Sequence, residues 1–216
     1  MLLLVAATED ELSPLYAAAL PENCATLVCG VGLVEATLNL TRYLAAAAAE
    51  VTAVVNFGLA GGYPDSGLKL LDLCLAEREY LGDLGVVVNN RILPLDPKFA
   101  PVGEFSADPA LLARAEKLLI RAGLVPRRGN FVTVAGCSGT LERSRYLSAH
   151  HRAICENMEG AALARTCQAF KLPFLELRCI SNLVLERDQQ EWRASEAAAL
   201  CARALRTIAG GLVDGR

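Results

Sequence analysis

The chain has 216 residues, of which 53% are hydrophobic and 21% charged, and its formal net charge at pH 7 is −3. This length suits one globular domain with a sizeable core, so we predict a single domain over residues 1–216. The weakly acidic balance, without any basic run, argues against a protein that binds nucleic acid. No apolar run reaches about 18 residues, so we expect no membrane span and no membrane partner. The apolar start lacks a positively charged region, which argues against a secretory signal.

The eight cysteines are even in number, which would allow disulfides, but their positions argue otherwise. They are scattered without a Cys-x-x-Cys pair, and most lie in apolar runs, where cysteine behaves as a small hydrophobic residue. Together with the missing signal region, this predicts a reduced, cytoplasmic protein. The two histidines, His150 and His151, are adjacent and are expected in a solvated loop. We therefore expect no metal site.

The predicted elements alternate between strands and helices along the chain. In chain order, the pattern predicts strands at 1–7 and 25–29, a helix at 34–49, a strand at 51–57 followed by a glycine turn at 58–62, a strand at 68–78, a helix at 109–122, a strand at 130–135, a short helix at 141–147, a strand at 154–158, a helix at 159–170, a strand at 172–180 and a helix at 195–212. Continuous apolar strands alternating with helices predict an α/β fold with a mostly parallel central sheet flanked by helices.

Polar residues follow three of these strands. Glu11 comes just after the first strand, Glu159 after the strand at 154–158, and Asn182 after the strand at 172–180. Open α/β sheets bind ligands at the carboxyl ends of their strands, and two carboxylates with an amide suit cleavage of a glycosidic bond. A structural interpretation stays open, because acidic residues also favour helix starts and asparagine favours turns.

Two glycine-rich segments, at 30–32 and 58–62, allow the backbone to approach a ligand closely. Neither is a Walker loop, since no Gly-Lys-Ser/Thr follows. The first also departs from the dinucleotide-binding pattern, because position 35 is Glu35 rather than glycine. We therefore expect no nucleotide cofactor, and no cofactor of another kind is indicated.

Five segments occur together and in order: 6–12, Cys29-Gly30-Val31-Gly32, 56–62, Met158-Glu159-Gly160-Ala161-Ala162 and Ile180-Ser181-Asn182. With these segments the chain resembles the nucleoside phosphorylase/nucleosidase superfamily over nearly its whole length. Segments 82–85, 156–162 and 180–182, with Arg187, Asp188 and Trp192, look most like the branch that hydrolyses futalosine in menaquinone biosynthesis. The sister branch cleaves methylthioadenosine and S-adenosylhomocysteine. The resemblance implies a single nucleoside phosphorylase-like domain, a purine nucleoside substrate, no cofactor, and a homodimer or higher homo-oligomer.

The resemblance also implies roles for individual residues. Glu11 matches the carboxylate that holds and activates the attacking water, and Glu159 matches the one that binds the ribose hydroxyls. Asn182 stands where adenosine-type nucleosidases carry a catalytic aspartate. The substrate-binding residues that we expect are Ala60, Gly61, Met158, Asn157 and Phe131.

Asn182 bears on which base is recognised. A carboxamide can donate to O6 of a purine and accept from a ring N–H, whereas an ionised aspartate would face O6 with a second acceptor. We therefore expect a 6-oxopurine such as hypoxanthine. Adenine-specific members of the family carry a stacking aromatic side chain in the segment that aligns with residues 134–140, where this chain has none. We therefore expect Phe131 or a residue of the loop near Trp192 to stack on the base.

The carboxylate on the 5′ side of futalosine needs a partner as well. Arg187, Arg78 or a residue of the proline-containing segment 89–105 are the candidates for this contact.

Three alternatives to futalosine hydrolysis stay open at this point. The first is cleavage of methylthioadenosine or another purine nucleoside. The second is phosphorolysis, which is disfavoured because the first strand and the glycine turn offer Glu9, Asp10 and Glu11 but no arginine to bind phosphate. The third is a nucleoside-binding protein without activity.

Overall fold

A computed structural model of the chain describes residues 1–89, 91–99, 102–189 and 191–214. The strands are β1 (Leu2–Ala6), β2 (Cys24–Val28), β3 (Ala53–Gly62), β4 (Leu73–Leu81), β5 (Val86–Val88), β6 (Arg91–Leu93), β7 (Glu104–Ser106), β8 (Arg127–Thr133), β9 (Ala153–Asn157) and β10 (Phe174–Leu183). The α-helices are α1 (Glu9–Leu12), α2 (Gly32–Ala47), α3 (Pro109–Arg121), α4 (Leu141–His151), α5 (Gly160–Phe170) and α6 (Ala194–Asp214).

The central sheet is mixed and mostly parallel, which confirms the predicted fold class. Parallel pairing joins β1 to β2 and β3, β3 to β10, β4 to β8, and β8 to β9. The antiparallel pairs are β4 with β10, β3 with β9, and β4 with β7. Because β3 pairs with both β10 and β9, the strands β3, β10, β4, β8 and β9 close into a ring, and β1 and β2 extend the sheet from β3.

Both faces of the sheet are covered by helices. On β1, Leu2 and Leu4 point into one apolar cluster, which also holds side chains from α3 and α6. Leu3 and Val5 point the opposite way, into a cluster with side chains from α2 and α5. A strand that is buried on both faces is apolar throughout, which explains the continuous hydrophobic runs in the sequence.

The largest difference from the sequence-based prediction lies at residues 58–62. The predicted glycine turn is instead the second half of β3, because β10 pairs with this segment as far as Gly62. The strand predicted at 68–78 is displaced to Leu73–Leu81, and those predicted at 130–135 and 172–180 are displaced by a few residues.

The prediction of a solvated loop for the two histidines is wrong. Helix α4 continues through His150 and His151, and the His151 ring packs 5.0 Å from the ring of Tyr80. Burial, and to a smaller extent the charge of His150, lowers the pKa of His151 to about 4. The imidazole is therefore neutral in the folded protein at pH 7.

All eight cysteines are free, and six of them are buried. Burial raises the pKa of Cys29, Cys74 and Cys155, among others, so these thiols stay protonated in the core. Within the residues that the structure describes, no helix is both long and apolar enough to cross a membrane.

Candidate active site

A cavity of about 750 Å³ opens where β1, β3, β9 and β10 reach one edge of the sheet. The structure brings seven of the eight site residues predicted from the sequence to its wall: Glu11, Ala60, Gly61, Asn157, Met158, Glu159 and Asn182. The eighth, Phe131, lies elsewhere, as described below.

Glu11 lies on the short helix α1 and is buried. The Thr8 side chain accepts from the Glu11 backbone N–H, and Glu11 Oε2 accepts from the Thr8 N–H at 3.1 Å, which is a capping box. The second oxygen, Oε1, accepts from the Leu59 N–H at 2.8 Å. A Cβ added to Gly58 would lie 2.3 Å from Oε1, so only glycine lets this carboxylate approach β3. Glu11 therefore stabilises the start of α1 and also lines the cavity.

Glu159 stands between β9 and α5, with its side chain 5% exposed. Its carboxylate does not cap α5. Oε1 instead accepts from the Gly32 N–H at 3.0 Å, at the start of α2, and Oε2 lies 3.4 Å from Arg178 Nη2. The N-terminus of α2 favours the negative charge of this carboxylate.

Arg178 is a site residue that the sequence analysis missed. Its side chain is 1% exposed and lines the cavity between Glu11 and Glu159. Nε donates to Glu176 Oε1 at 2.9 Å, and Nη1 donates to the Leu59 carbonyl at 3.2 Å. Burial acts to lower the pKa of Arg178, but the carboxylates around it outweigh burial and raise it, so the guanidinium stays charged.

Arg178 adds a guanidinium to a site for which the sequence analysis noted no arginine in the first strand or the glycine turn. The signal was present in β10, where Glu176 and Arg178 lie two residues apart in an otherwise apolar strand. Residues at this spacing share one face of a strand, and two opposite charges on a buried face indicate an ion pair. The arginine comes from β10, whereas the sequence argument considered only the first strand and the glycine segments.

Behind Arg178 lies a fully buried pair of carboxyl groups, Glu79 and Glu176. Glu176 Oε1 accepts from Asn56 Nδ2 at 3.0 Å, while Glu79 Oε2 accepts from Thr133 Oγ1 at 2.7 Å. The two carboxyl groups also hydrogen-bond to each other. Burial raises the pKa of Glu79 well above its usual range, and the nearby Glu176 adds to the rise. A protonated Glu79 that donates to Glu176 accounts for Glu176 Oε2, for which the described part of the chain offers no other hydrogen-bond donor.

The Asn157 side chain holds the backbone at the start of α5 in place. Its Oδ1 accepts from the N–H groups of Glu159 and Gly160 at 3.0 and 2.7 Å, which caps the start of α5. Its Nδ2 donates to Glu79 Oε1 at 2.5 Å. Both the oxygen and the nitrogen of the Asn157 amide are therefore hydrogen-bonded within the protein, although the residue lines the cavity.

Asn182 lines the cavity beside Gly61, two residues along β3 from Leu59, which binds Glu11. A bulge between Ile180 and Asn182 shifts the register of β10 against β3, so that Asn182 becomes the partner of Gly61. The Ser181 hydroxyl donates to Asn182 Oδ1 at 3.0 Å. In this contact the amide oxygen of Asn182 acts as the acceptor.

Of two further expected binding residues, Met158 and Phe131, only Met158 lines the cavity. Met158 lines the cavity, with Sδ 3.3 Å from Cys137 Sγ. Phe131 is fully buried in a cluster with Ala60 and Ile180 and does not line the cavity, so we withdraw it as the stacking residue. It lies on β8, on the side of the strand that points into the core.

The remaining expectation is a stacking residue in the loop near Trp192, and Trp192 itself lines the cavity and is half exposed. The Arg187 guanidinium lies 5.2 Å from the centre of its ring, although Arg187 is not among the residues that line the cavity. Arg78 is elsewhere: it is exposed and pairs with Glu104 at 2.6 Å. Of the segment 89–105, residues 90, 100 and 101 fall outside the described residues, and its described residues do not line this cavity.

Among the described residues, no group of three or more His, Cys, Asp or Glu side chains is placed to hold a metal ion. The polar lining of the cavity includes carboxylates, the Arg178 guanidinium, two asparagine amides and several hydroxyl groups. It can stabilise positive charge at Glu11 and Glu159 and hydrogen-bond a heterocycle at Asn182.

Comparison with known proteins agrees with this architecture. The family model of the Phosphorylase superfamily matches residues 15–210. The chain is 37% identical to a futalosine hydrolase of Thermus thermophilus over 191 residues, which is 84% of this chain and 79% of the relative. It is 33% identical to a futalosine hydrolase of Streptomyces coelicolor over 88% of this chain and 80% of the relative. The fold is that of a solved futalosine hydrolase mutant of Helicobacter pylori, with a TM-score of 0.82, 22% identity and 100% and 99% of the two chains covered. The chain belongs to the phosphorylase superfamily, in the branch that holds these futalosine hydrolases.

Proposed function

We propose that this protein hydrolyses the N-glycosidic bond of futalosine, releasing hypoxanthine and dehypoxanthine futalosine in menaquinone biosynthesis. The observation that carries the proposal is that Glu11, Glu159, Arg178 and Asn182 line one cavity. The futalosine hydrolases to which the chain is similar support the same substrate.

The acidic end of the cavity suits a sugar that becomes cationic. As the bond from C1′ to the base nitrogen breaks, its electron pair leaves with the base, and the sugar develops oxocarbenium character. Glu159 accepts hydrogen bonds from the ribose hydroxyls, and these bonds strengthen as the sugar gains positive charge. Glu11 takes a proton from the water whose oxygen bonds to C1′.

Arg178 holds this arrangement in place. It lies between carboxylates that would otherwise repel one another, and it binds the carbonyl of Leu59, whose N–H binds Glu11. The acids are therefore oriented before the substrate arrives, which is the condition under which fixed charges lower a barrier most. Asn182 supports the departing base through hydrogen bonds to its edge.

Phosphorolysis remains disfavoured, even though a guanidinium does reach the cavity. The charge of Arg178 is compensated by Glu176 and Glu159, and Asp10 and Glu11 line the same wall. A phosphate dianion would meet a net negative surface there.

We also propose that the chain is a single domain that acts as a homo-oligomer in the cytoplasm. The eight free cysteines support a reducing compartment. The exposed apolar side chains of Val31 and Val34, at the start of α2, support an interface.

The test is a chromatographic assay of the purified protein with futalosine, aminodeoxyfutalosine, inosine and methylthioadenosine, each with and without phosphate. We expect free hypoxanthine from futalosine, at a rate that phosphate does not change. Free adenine from methylthioadenosine, with futalosine intact, would instead assign the protein to the sister activity. A strict requirement for phosphate would establish phosphorolysis, and binding without release of any base would establish an inactive binding protein.

A further inference from the structure

Two carboxyl groups lie behind the cavity wall and take no part in the catalytic steps proposed above. Glu79 on β4 and Glu176 on β10 are 1% and 0% exposed, and neither of them lines the cavity. Two carboxyl groups buried in contact destabilise a protein unless their hydrogen bonds are satisfied and one of them holds a proton. Buried acids of this kind are concentrated at functional sites, and the contacts of this pair lead to Glu159 by two separate connections.

The first connection to Glu159 runs through side chains. Glu176 Oε1 accepts from Arg178 Nε at 2.9 Å and from Asn56 Nδ2 at 3.0 Å. The other end of the guanidinium reaches the site, with Nη2 lying 3.4 Å from Glu159 Oε2. Because a guanidinium is planar and rigid, the carboxylate that holds Nε also fixes the direction in which Nη2 meets Glu159.

The second connection runs through the backbone at the start of α5. Glu79 Oε1 accepts from Asn157 Nδ2 at 2.5 Å, and Asn157 Oδ1 accepts from the Glu159 N–H at 3.0 Å. Glu79 Oε2 accepts from Thr133 Oγ1 at 2.7 Å, and the same hydroxyl accepts from the Ala161 N–H at 2.8 Å. Through these two side chains, Glu79 holds the turn of backbone on which Glu159 stands.

The two connections meet where Glu79 touches Glu176. A Cβ placed on Gly160 would lie 2.3 Å from Glu79 Oε1 and 2.6 Å from Glu176 Oε2, so the two oxygens converge on the start of α5. In the described part of the chain, Glu176 Oε2 has no hydrogen-bond donor other than the carboxyl group of Glu79. A proton on Glu79 supplies this donor and prevents two negative charges from facing each other.

The charges around the pair determine which carboxyl group keeps the proton. Burial raises the pKa of both groups, and the charge of Glu176 raises that of Glu79 further. Arg178 favours the ionised form of Glu176, although Glu159 opposes it from the cavity side. On β9, the Cys155 thiol also faces the pair, and burial keeps it protonated. Glu79 is therefore the protonated member of the pair at neutral pH.

We propose that Glu79 is a positioning residue for catalysis, which holds a proton for Glu176 and thereby keeps Arg178 and Asn157 in the arrangement that orients Glu159. This inference rests on the proposed function, in which Glu159 binds the ribose hydroxyls. Loss of the proton would bring two negative charges into contact, and both connections to Glu159 would change as the carboxylates separate. Turnover should therefore fall at alkaline pH because of a group that lies outside the cavity.

The experiment measures kcat and KM for futalosine against pH in the wild-type protein and Glu79→Gln. Glutamine resembles the protonated acid, because its amide N–H can donate to Glu176 while its oxygen still accepts. The wild-type kcat should fall as the pH rises through the pKa of Glu79, whereas Glu79→Gln should keep its neutral-pH kcat over the same range. Glu77→Gln, a surface change on the same strand, is the matched control and should follow the wild type.

Glu79→Leu separates positioning from packing. Leucine fills much of the same space but ends every hydrogen bond of the carboxyl group. We expect kcat at neutral pH to fall at least about tenfold, because small displacements of a catalytic group are costly, while KM changes little. Glutamine should restore kcat at this position. Urea unfolding shows that each variant is folded, and equal kcat values for the folded leucine and glutamine variants would overturn the proposal.

Two further measurements need no turnover. The infrared difference spectrum between wild type and Glu79→Gln at neutral pH should contain the carbonyl band of a protonated carboxylic acid. Amide hydrogen exchange at Glu159 and Gly160, compared at the same alkaline pH, should be faster in the wild type than in Glu79→Gln, because only the wild type loses its proton.

The outcomes separate this inference from the proposed reaction. If futalosine is cleaved and Glu79→Gln keeps the wild-type pH profile, the inference fails and the reaction stands. If no base is released from futalosine but the infrared band and the difference in exchange are found, the reaction fails, and the hold of the proton on Glu159 stands. A wild-type protein without the infrared band has no proton on Glu79, which overturns the inference whatever the activity.

Discussion

Glu11 and Glu159 each bind backbone N–H groups of a neighbouring element as well as facing the cavity. Glu11 accepts from Leu59 of β3, and Glu159 accepts from Gly32 at the start of α2. The second oxygen of each is also held, in Glu11 by the Thr8 N–H and in Glu159 by Arg178, so both carboxylates have a fixed direction. Side chains held in this way lose little entropy when a substrate binds, so more of their interaction energy is available in the transition state.

The first residue-scale prediction concerns Glu159→Gln. The glutamine keeps the contact with Gly32 but loses the charge that stabilises a cationic sugar, so kcat/KM for futalosine should fall by about 10²-fold or more. Steady-state kinetics measures the loss, and hypoxanthine binding shows that the cavity persists. Glu35→Gln on the exposed face of α2 is the control and should have wild-type activity. Unchanged turnover in Glu159→Gln would remove this residue from the mechanism.

The second residue-scale prediction concerns Asn182→Asp. An ionised aspartate presents only acceptors, so it should weaken turnover of futalosine and raise activity toward adenine nucleosides. The ratio of kcat/KM for futalosine over methylthioadenosine is the measurement, with Asn23→Asp on the surface as the control for added charge. A ratio equal to that of the wild type would count against the 6-oxopurine argument.

At the scale of elements, the start of α5 is built against the buried carboxyl pair. Asn157 caps this helix, and Gly160 lies directly beside Glu79 and Glu176. A Cβ on Gly160 would lie 2.3 Å from Glu79 Oε1 and 2.6 Å from Glu176 Oε2. The glycine is therefore required by close packing rather than by its backbone conformation.

We expect Gly160→Ala to lower the free energy of unfolding by about 1–3 kcal/mol, the usual range for an overpacked core. Gly210→Ala in α6 is the matched control. A Cβ there meets nothing within 4 Å, and alanine in a helix should stabilise the protein by about 0.5–1 kcal/mol. Urea unfolding of both variants measures the contrast, and equal changes would contradict the packing argument.

The Glu79–Glu176 pair also makes stability depend on pH. Because the pKa of Glu79 is raised in the folded protein, the native state binds more protons than the unfolded state above the ordinary glutamate pKa. The free energy of unfolding therefore contains a contribution that is complete at low pH and is lost as pH rises toward the folded pKa.

Glu79→Gln should remove this dependence, because glutamine resembles the protonated acid and can donate to Glu176. We expect the variant to gain stability relative to the wild type as the pH is raised from 5 to 8, measured by urea unfolding at each pH. Glu77→Gln, two residues away and paired with Arg128 at the surface, is the control. A difference between Glu79→Gln and wild type that does not change with pH would show that no proton is held there.

At the scale of the whole molecule, the closed ring of strands determines where the side chains meet. β3 is bordered by β1 along its first half and by β9 at its end, with β10 along the other edge. This arrangement brings Asn182 and Glu156 to one glycine although they come from different strands. The cavity is therefore lined by residues from several separate segments of the chain.

We base the prediction of self-association on an exposed apolar surface near the cavity. Val31, Val34 and Leu38, at and near the start of α2, are exposed, and Val31 also lines the cavity. Apolar side chains grouped in this way are typical of interfaces. We expect Val34→Glu to shift the protein toward the monomer in size-exclusion chromatography with light scattering.

Val125→Glu is the control for this experiment, since Val125 is 77% exposed and Val34 is 78% exposed. The control should keep the wild-type mass. A wild-type protein that is monomeric at micromolar concentration would contradict the prediction of a homo-oligomer.

The sequence by itself determined the α/β class and the region of the site. Strands buried on both faces are apolar throughout, so they are visible as runs, and a polar residue directly after such a run marks the edge of the sheet. Glu11, Glu159 and Asn182 were found in this way. These patterns can be recognised along the chain without knowing which strands pair in the sheet.

The tertiary structure decided the rest, because it depends on register and on which strands pair. Arg178 enters the site from β10, and Phe131 turns into the core, because each strand presents alternate residues to opposite faces. The bulge before Asn182 and the pairing of Gly61 with Glu156 bring residues more than 90 positions apart in the chain together at the cavity. No local pattern encodes that proximity, since it exists only once the ring of strands has closed.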